Sequence, residues 1–364
     1  MAEFMRDTGS ALTPQKHAYD IFKQYILTYA FNTMTGKRGS GKPIIIDDTT
    51  FKGKDAGDTG RYHFIPQYTG AGITGQNPTI RGNEKTLDEF YMDLKIDQIR
   101  QAFAYRGKMT DIRTIWNIRE EHKRQLANWF RRETEMNLIK ALTGYITDGV
   151  TELTGSEIDS TALVTGEGRC FRPDYANDKF STVSVSAANS TNSAILSAID
   201  AADTMNTEIL DNLQDLAKTA GKYPIAPIHC KDGVERYMLV VHPKAAVALR
   251  QDPRWEKRVL ASYTGAKALD GDPIATGAVG VWENIIVKEA NYILTAEGSG
   301  KKIARNLLLG ADAAVLAYGE QMTYLEDNDT YEHRFSTQAS EIRGIKKLSF
   351  DGTDLNVAQV VCAI

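Results

Sequence analysis

The chain has 364 residues, 42% hydrophobic and 25% charged, which is enough apolar mass for a real core and enough length for two to three domains or one large elaborated one. Its formal net charge of -4 argues against a free-standing nucleic-acid binder, which is basic overall, and leaves room only for a local basic face. Three cysteines, Cys170, Cys230 and Cys362, are odd in number and far apart, the N-terminus has no apolar signal core, and no run is long enough to cross a bilayer; the expectation is a chain without disulfides or a membrane partner, kept in a cytoplasm or in a particle assembled there.

Residues 1–52 read as an N-terminal arm. Pro14 stands where a helix can begin, and Tyr19, Phe22, Ile26, Tyr29 and Ala30 fall at helical spacing. The glycines of 36–41 end that helix, and Pro43-Ile44-Ile45-Ile46 reads as a short strand.

Residues 53–109 read as a long β-hairpin. Tyr62, Phe64 and Tyr68 share one parity of an extended segment, and a polar tip with Gly70, Gly72, Gly75 and Gly82 follows. The chain is extended again over 90–106. Met92, Leu94 and Ile96 hold one parity, whereas Ile99, Phe103 and Tyr105 hold the other. This switch near Gln98 predicts a bulge, a bend or a hand-over from one neighbour to another. Seventeen extended residues would reach about 50 Å. Such an arm needs something to lie on, and the expected support is another copy of the chain. The candidate intersubunit contacts are Tyr62, Phe64, Tyr68, Ile73, Ile80, Phe90, Met92, Leu94 and Ile96. The competing reading is that these aromatic residues pad a local core.

The longest helix is predicted over 110–143, capped by Thr110 or Asp111 and stopped by Gly144. Ile112, Trp116, Leu126, Phe130 and Ile139 are its candidate core residues, and Glu120 can pair with Arg124 on the exposed side. The Ser-, Thr- and Gly-rich stretch 149–192 reads as loop. Helices are expected over 193–205, anchored by Ile195 and Ile199, and over 208–220, with Ile209, Leu213, Leu216 and Ala217 on one side. Lys231-Asp232-Gly233 signals a hairpin turn into a buried strand over 237–241, and Pro243 starts a helix through 249. Short strands follow at 280–282 and 285–287, then apolar segments at 307–309 and 313–317. The last element reads as a hairpin, 345–350 against 355–361, around Asp351-Gly352.

Catalytic signatures fail one by one. Gly36-Lys37-Arg38-Gly39-Ser40-Gly41-Lys42 has the spacing of a phosphate-binding loop, but Pro43 replaces the magnesium-ligating hydroxyl and the strand and helix flanks are reversed. A nucleotide-dependent enzyme using that loop is the competing function from another class. His229, Cys230 and His242 lack the C-x-x-C pairing of a structural zinc site. Glu120-Glu121-His122 are helix neighbours that point in different directions. The reading is a non-enzymatic chain with no catalytic residue, cofactor or metal.

Several short pieces occur in a telling order: Gly57-Asp58-Thr59, Thr69-Gly70-Ala71-Gly72-Ile73-Thr74-Gly75, Gly82-Asn83-Glu84, Ile96-Asp97-Gln98 and Arg106-Gly107-Lys108-Met109-Thr110. Val241-His242-Pro243, Gly277-Ala278-Val279-Gly280, Leu308-Leu309-Gly310-Ala311, Ala314-Val315-Leu316-Ala317-Tyr318-Gly319 and Gly344-Ile345-Lys346-Lys347 continue it. Together they resemble the major capsid proteins of phage N-four and its relatives, with the Johnson-type capsid fold of tailed phages, herpesvirus capsid floors and encapsulins. The match is weakest over 152–192. The resemblance implies an α+β fold with an N-terminal arm (1–52) and an extension loop (53–109). It implies a peripheral domain (110–190) with its spine helix over 110–143, a mainly axial segment (191–341) and strands returning to the peripheral domain (342–364). It further implies a shell of hexamers and pentamers in the virion, assembled in the host bacterial cytoplasm around double-stranded DNA. Portal and scaffold proteins are the implied partners, with decoration proteins as an option. An encapsulin-like nanocompartment is the alternative within the same fold.

Overall fold

The computed structural model describes residues 31, 34–37, 43–52, 57–66, 84, 86, 88–106, 118–146, 148–151, 169–174, 179–182, 192–219, 224–229, 234–263, 278–298, 300–328, 334–350 and 353–364. The predicted helix of the N-terminal arm, the hairpin tip and the start of the long helix lie outside these residues.

The first strands are β1 (Thr35–Lys37), β2 (Ile45–Asp48), β3 (Thr59–Phe64), β4 (Phe90–Lys95) and β5 (Asp97–Arg106). The long helix α1 (Ile118–Thr143) follows, then β6 (Cys170–Asp174), β7 (Lys179–Thr182), α2 (Asn192–Ala198) and α3 (Thr207–Thr219). Next come β8 (Ile228–His229), β9 (Glu235–Val241), α4 (Pro243–Arg250), α5 (Pro253–Tyr263), β10 (Ala278–Trp282), β11 (Ile285–Glu289), β12 (Thr295–Gly298) and β13 (Lys301–Leu309). The chain finishes with β14 (Ala314–Asn328), β15 (Arg334–Lys347), β16 (Ser349–Phe350), β17 (Thr353–Asp354) and β18 (Val357–Ala363).

Two sheets carry the fold. A nine-stranded sheet runs β10-β11-β9-β13-β18-β6-β7, with β8 beside β9 and β12 beside β13. Its central strands are buried on both faces, so β9 and β18 read as nearly unbroken apolar runs. One face packs on α3 and α4 through Ile209, Leu213, Ala245 and Leu249; the other packs on the C-terminal half of α1 through Leu138 and Leu142. A five-stranded sheet runs β1-β2-β14-β15-β5. The middle of α1 covers it, placing Leu126, Ala127 and Phe130 against Met322, Tyr324 and Ala339. One helix of about 39 Å therefore spans both sheets.

The sequence readings need five corrections. The extended segment 90–106 is not one strand: β4 pairs with β3, and after Ile96 the chain passes to β15 as β5. This is the hand-over that the parity switch predicts, and it leaves a described hairpin of only about 20 Å. The stretch 149–192, read as loop, contributes β6 and β7 because β18 offers a free edge to β6. Helix α2 stops at Ala198, short of its expected end, and α5 has no counterpart in the reading. The final hairpin shrinks to β16 against β17, two residues each. Its expected arms separate instead, β15 pairing with β14 and β5, and β18 with β13 and β6.

The crossing after β4 is held by backbone. Lys95 N–H donates to Asp148 O (2.8 Å), Ile96 N–H to Asp58 O (2.9 Å) and Ile345 N–H to Gly149 O (2.9 Å). A Cβ on Gly344 would sit 2.0 Å from Lys95 O, and one on Gly149, which has φ +112°, would sit 2.6 Å from it. Only glycine lets three chain segments meet there.

Candidate assembly site

The β3–β4 hairpin was expected to turn its aromatic parity toward another copy. Instead Tyr62, Met92 and Leu94 are buried on the chain's own Ile46, Phe51, Val315, Leu348, Phe350 and Leu355, with Phe64, Phe90 and Ile96 partly buried beside them. Phe64 stacks on Phe350 with ring centroids 5.1 Å apart, and Tyr62 OH donates to Asp48 Oδ2 (2.5 Å). Side chains closed inside one subunit leave little of their own surface exposed, so at the hairpin root they pad the chain's own core. Tyr68, Ile73 and Ile80 lie outside the described residues.

The opposite parity of the hairpin faces outward. Arg61 Nε donates to Asp93 Oδ1 (2.7 Å) and its Nη2 to Asp93 Oδ2 (3.0 Å). Its guanidinium lies 4.2 Å from the centre of the Tyr91 ring. That bidentate bond holds the Asp93 carboxyl below its ordinary range. His63 Nδ1 is 2.6 Å from Glu89 Oε1.

Of the candidate helix core, Leu126, Phe130 and Ile139 are fully buried; Ile112 and Trp116 lie outside the described residues. The N-terminal turns of α1 rest on rings instead. Arg119 lies 5.0 Å above Phe335, Lys123 5.4 Å above Tyr324, and His122 5.5 Å from Phe103 and 5.6 Å from Tyr105. The exposed ion pair is Glu121–Arg124 (2.8 Å), one turn-neighbour away from the predicted Glu120–Arg124.

Sequence reasoning missed the buried polar staples beneath the helix. The Arg343 guanidinium donates to Thr134 Oγ1 and lies 3.7 Å from Glu341, whose carboxyl burial pushes above its usual range. Arg305 Nη1 donates to Gln359 Oε1 (3.0 Å), and Gln359 Nε2 donates to Thr143 O (3.0 Å), tying the helix end to β13 and β18. Lys347 Nζ donates to Asp354 Oδ2 (2.7 Å), with both groups buried. The available signal was inward-parity charge in 341–347.

Among the described residues, the catalytic look-alikes of the sequence do not gain the surroundings those chemistries need. Gly36 and Lys37 lie in β1, parallel to β2, so the chain beyond the phosphate-loop look-alike enters a strand where a helix is needed. His229 sits on β8, whereas His242 caps α4, its Nδ1 accepting from Lys244 N–H (3.2 Å). Among the described residues no three His, Cys, Asp or Glu side chains are grouped to hold a metal, and no helix is long and apolar enough to cross a membrane.

Comparison with known proteins agrees with a structural role. A family model described as phage capsid protein matches residues 7–361. The major capsid protein of Pseudomonas phage KPP25 is 26% identical over 300 residues, covering 79% of this chain and 76% of that protein. The capsid of Ralstonia phage GP4 has a similar fold, with a TM-score of 0.68 at 22% identity over 92% of this chain and 91% of that one. For the capsid of cyanophage Pam1 the TM-score is 0.73, at the same identity and coverage.

Proposed function

The chain belongs to the phage capsid protein family and is a major capsid protein, and on that premise we propose that its copies close into an icosahedral head, as hexamers and pentamers, around packaged double-stranded DNA. The observation that carries this reading is the family match across nearly the whole chain, joined to a fold shared with phage capsids over about nine-tenths of its length. Phage relatives favour a DNA container over an encapsulin-like compartment.

Within a subunit we assign the peripheral role to α1 with β5, β14 and β15. The axial role goes to the nine-stranded sheet with α3 and α4. Sheet membership motivates this division: β14 and β15 lie under the long helix, and β18 lies between β13 and β6. Residues 1–52 remain an N-terminal arm, and 53–109, up to the start of β5, an extension loop that reaches a neighbouring copy. The expected partners beyond itself are portal and scaffold proteins and, where the shell is reinforced, decoration proteins. Assembly takes place in the host bacterial cytoplasm, and DNA is met through proximity, without sequence readout. Many modest contacts per subunit suit this role, since each can anneal while the sum holds the shell.

Negative-stain electron microscopy with sedimentation on the purified chain, alone and with a scaffold, tests the reading. Closed shells or rings of five and six are the expected result. A small monodisperse species under every condition would sink it.

A further inference from the structure

A cavity of about 200 Å³ lies beside the crossing where β4 hands over to β5. The start of β5, the second half of α1, the loop that follows α1 and the end of β15 wall it. Ile99, Ile146, Val150 and Ile345 make its lining aliphatic, and Asp97 and Glu133 add two carboxylates. Asn137 brings an amide from one turn beyond Glu133, on the same side of the helix. Asp97 is exposed whereas Ile146 and Ile345 are buried, so the carboxylate stands at the mouth and the isoleucines at the floor.

The charges here do not balance within the subunit. Among the described residues, Asp97 accepts only from the Gln98 N–H (2.6 Å), and no donor or cation reaches Glu133. The cation in the wall, Arg343, is already engaged by the Thr134 hydroxyl and by Glu341 at 3.7 Å. Two carboxylates on one space repel each other and any anion that enters it. A metal ion fits poorly: among the described residues no three His, Cys, Asp or Glu side chains are grouped to hold one, and a hard cation takes oxygen where this floor is hydrocarbon. The volume far exceeds what a single water needs and falls below the roughly 300 Å³ at which drug-sized sites begin. What satisfies both surfaces is a short aliphatic chain with a cationic, hydrogen-donating head.

We propose that this cavity binds a primary alkylammonium group, its N–H donors on Asp97, Glu133 and the Asn137 carbonyl and its methylenes on the isoleucine floor. An ammonium head has three donors, one for each of these side chains. A short alkyl chain behind it covers aliphatic surface as a lysine stem does. Because the walls belong to α1 and to the strand that continues the hairpin, occupancy braces the hairpin root against the long helix. The group arrives either as a free alkylamine or as the lysine side chain of a second copy, and the recognising chemistry is the same.

Thermal unfolding of the purified subunit with n-butylammonium chloride, at constant ionic strength, reads the site. The midpoint should rise saturably, as for any ligand of the folded state. Tetramethylammonium chloride, which has no donor, and sodium butyrate, which has the opposite charge, should act no differently from sodium chloride. Glu133→Gln and Asp97→Asn should each raise the half-saturating amine concentration by about tenfold or more, the loss of one charge-assisted hydrogen bond. An amine effect no larger than that of sodium chloride would overturn the inference, as would one that both variants keep unchanged, or stabilisation by butyrate instead. Should one variant misfold, the other and the wild-type series still decide. The source of the amine is read on assembled shells treated with a carbodiimide, and only this arm rests on the shell reading. An amide between Glu133 and a lysine of another copy identifies the side chain, whereas shells that still take up butylammonium identify a free amine; both sustain the site. A chain that forms no shell takes the capsid reading down and leaves the subunit series to decide this inference.

Discussion

His122 illustrates how much of this molecule is decided by single side chains. Its ring rests between Phe103 and Tyr105, with Nδ1 3.3 Å from the Thr337 hydroxyl. Burial holds its pKa below the ordinary histidine value, against a smaller opposing pull from Glu121. His242 is lowered as well, by burial and then by Lys244 and Lys302. In the unfolded chain histidine titrates near about 6.5. Below that pH the unfolded state takes up protons that the folded state resists, so stability falls as pH falls. The urea midpoint of the subunit should therefore be lower at pH 5.5 than at pH 7.5, and His122→Gln should shrink that difference. An unchanged pH difference in the variant would show that the ring does not feel its surroundings. The buried cysteines make a separate expectation. Burial pushes the Cys362 thiol up to about 12, while the Asn306 amide donates to its sulfur, and burial raises the Cys170 thiol too. Since the thiolate is the reactive form, both should resist iodoacetamide at pH 8 in the native subunit and react once it is unfolded. Mass spectrometry of the two peptides checks this.

At the scale of elements, the long helix is the part most exposed to a single change. Phe130→Ala should cost about 3–5 kcal/mol, since it empties a site between α1 and the β14–β15 ribbon. Gly344→Ala forces a Cβ against the Lys95 carbonyl and should cost about 1–3 kcal/mol. Glu120→Ala, on the exposed side, should stay within about 0.5 kcal/mol. Urea denaturation at constant pH ranks the three. The helix was legible because Leu126 and Phe130, and then Ile139 and Leu142, stand at helical spacing and Gly144, at φ +92°, follows its last residue. The parity change at Ile96 was legible for the same kind of reason, since alternation reports which face is buried. The full lengths of β14 and β15 were hidden: Glu341, Arg343 and Lys347 put charge at inward positions and break the expected apolar alternation. The hairpin outer face was hidden too. Nothing local in Arg61, Tyr91 and Asp93 says that the aromatic parity beside them is already occupied by residues some 250 positions further on. The pairing of β16 with β17 is far shorter than the expected hairpin, because a turn signal carries no information on how far its flanking strands stay together.

For the whole molecule, removing residues 69–88 should leave a soluble subunit with its fold intact that assembles poorly. Both of the described hairpin strands, β3 and β4, lie outside that deletion. Normal shells from this variant, seen by electron microscopy and sedimentation, would mean that the tip is dispensable for contact. The strand order of the large sheet has another outcome, in the timing of synthesis. Strand β6 has its place only beside β18, and their paired residues, Cys170 and Gln359, are roughly 190 positions apart. While a ribosome works through the intervening half of the chain, β6 waits with only β7 beside it, and β13, once made, still lacks the partner with which it shares most pairs. A nascent subunit is thus held unfinished until β18 emerges, and a chain that stops short of Val357 should precipitate rather than linger as a defective building block.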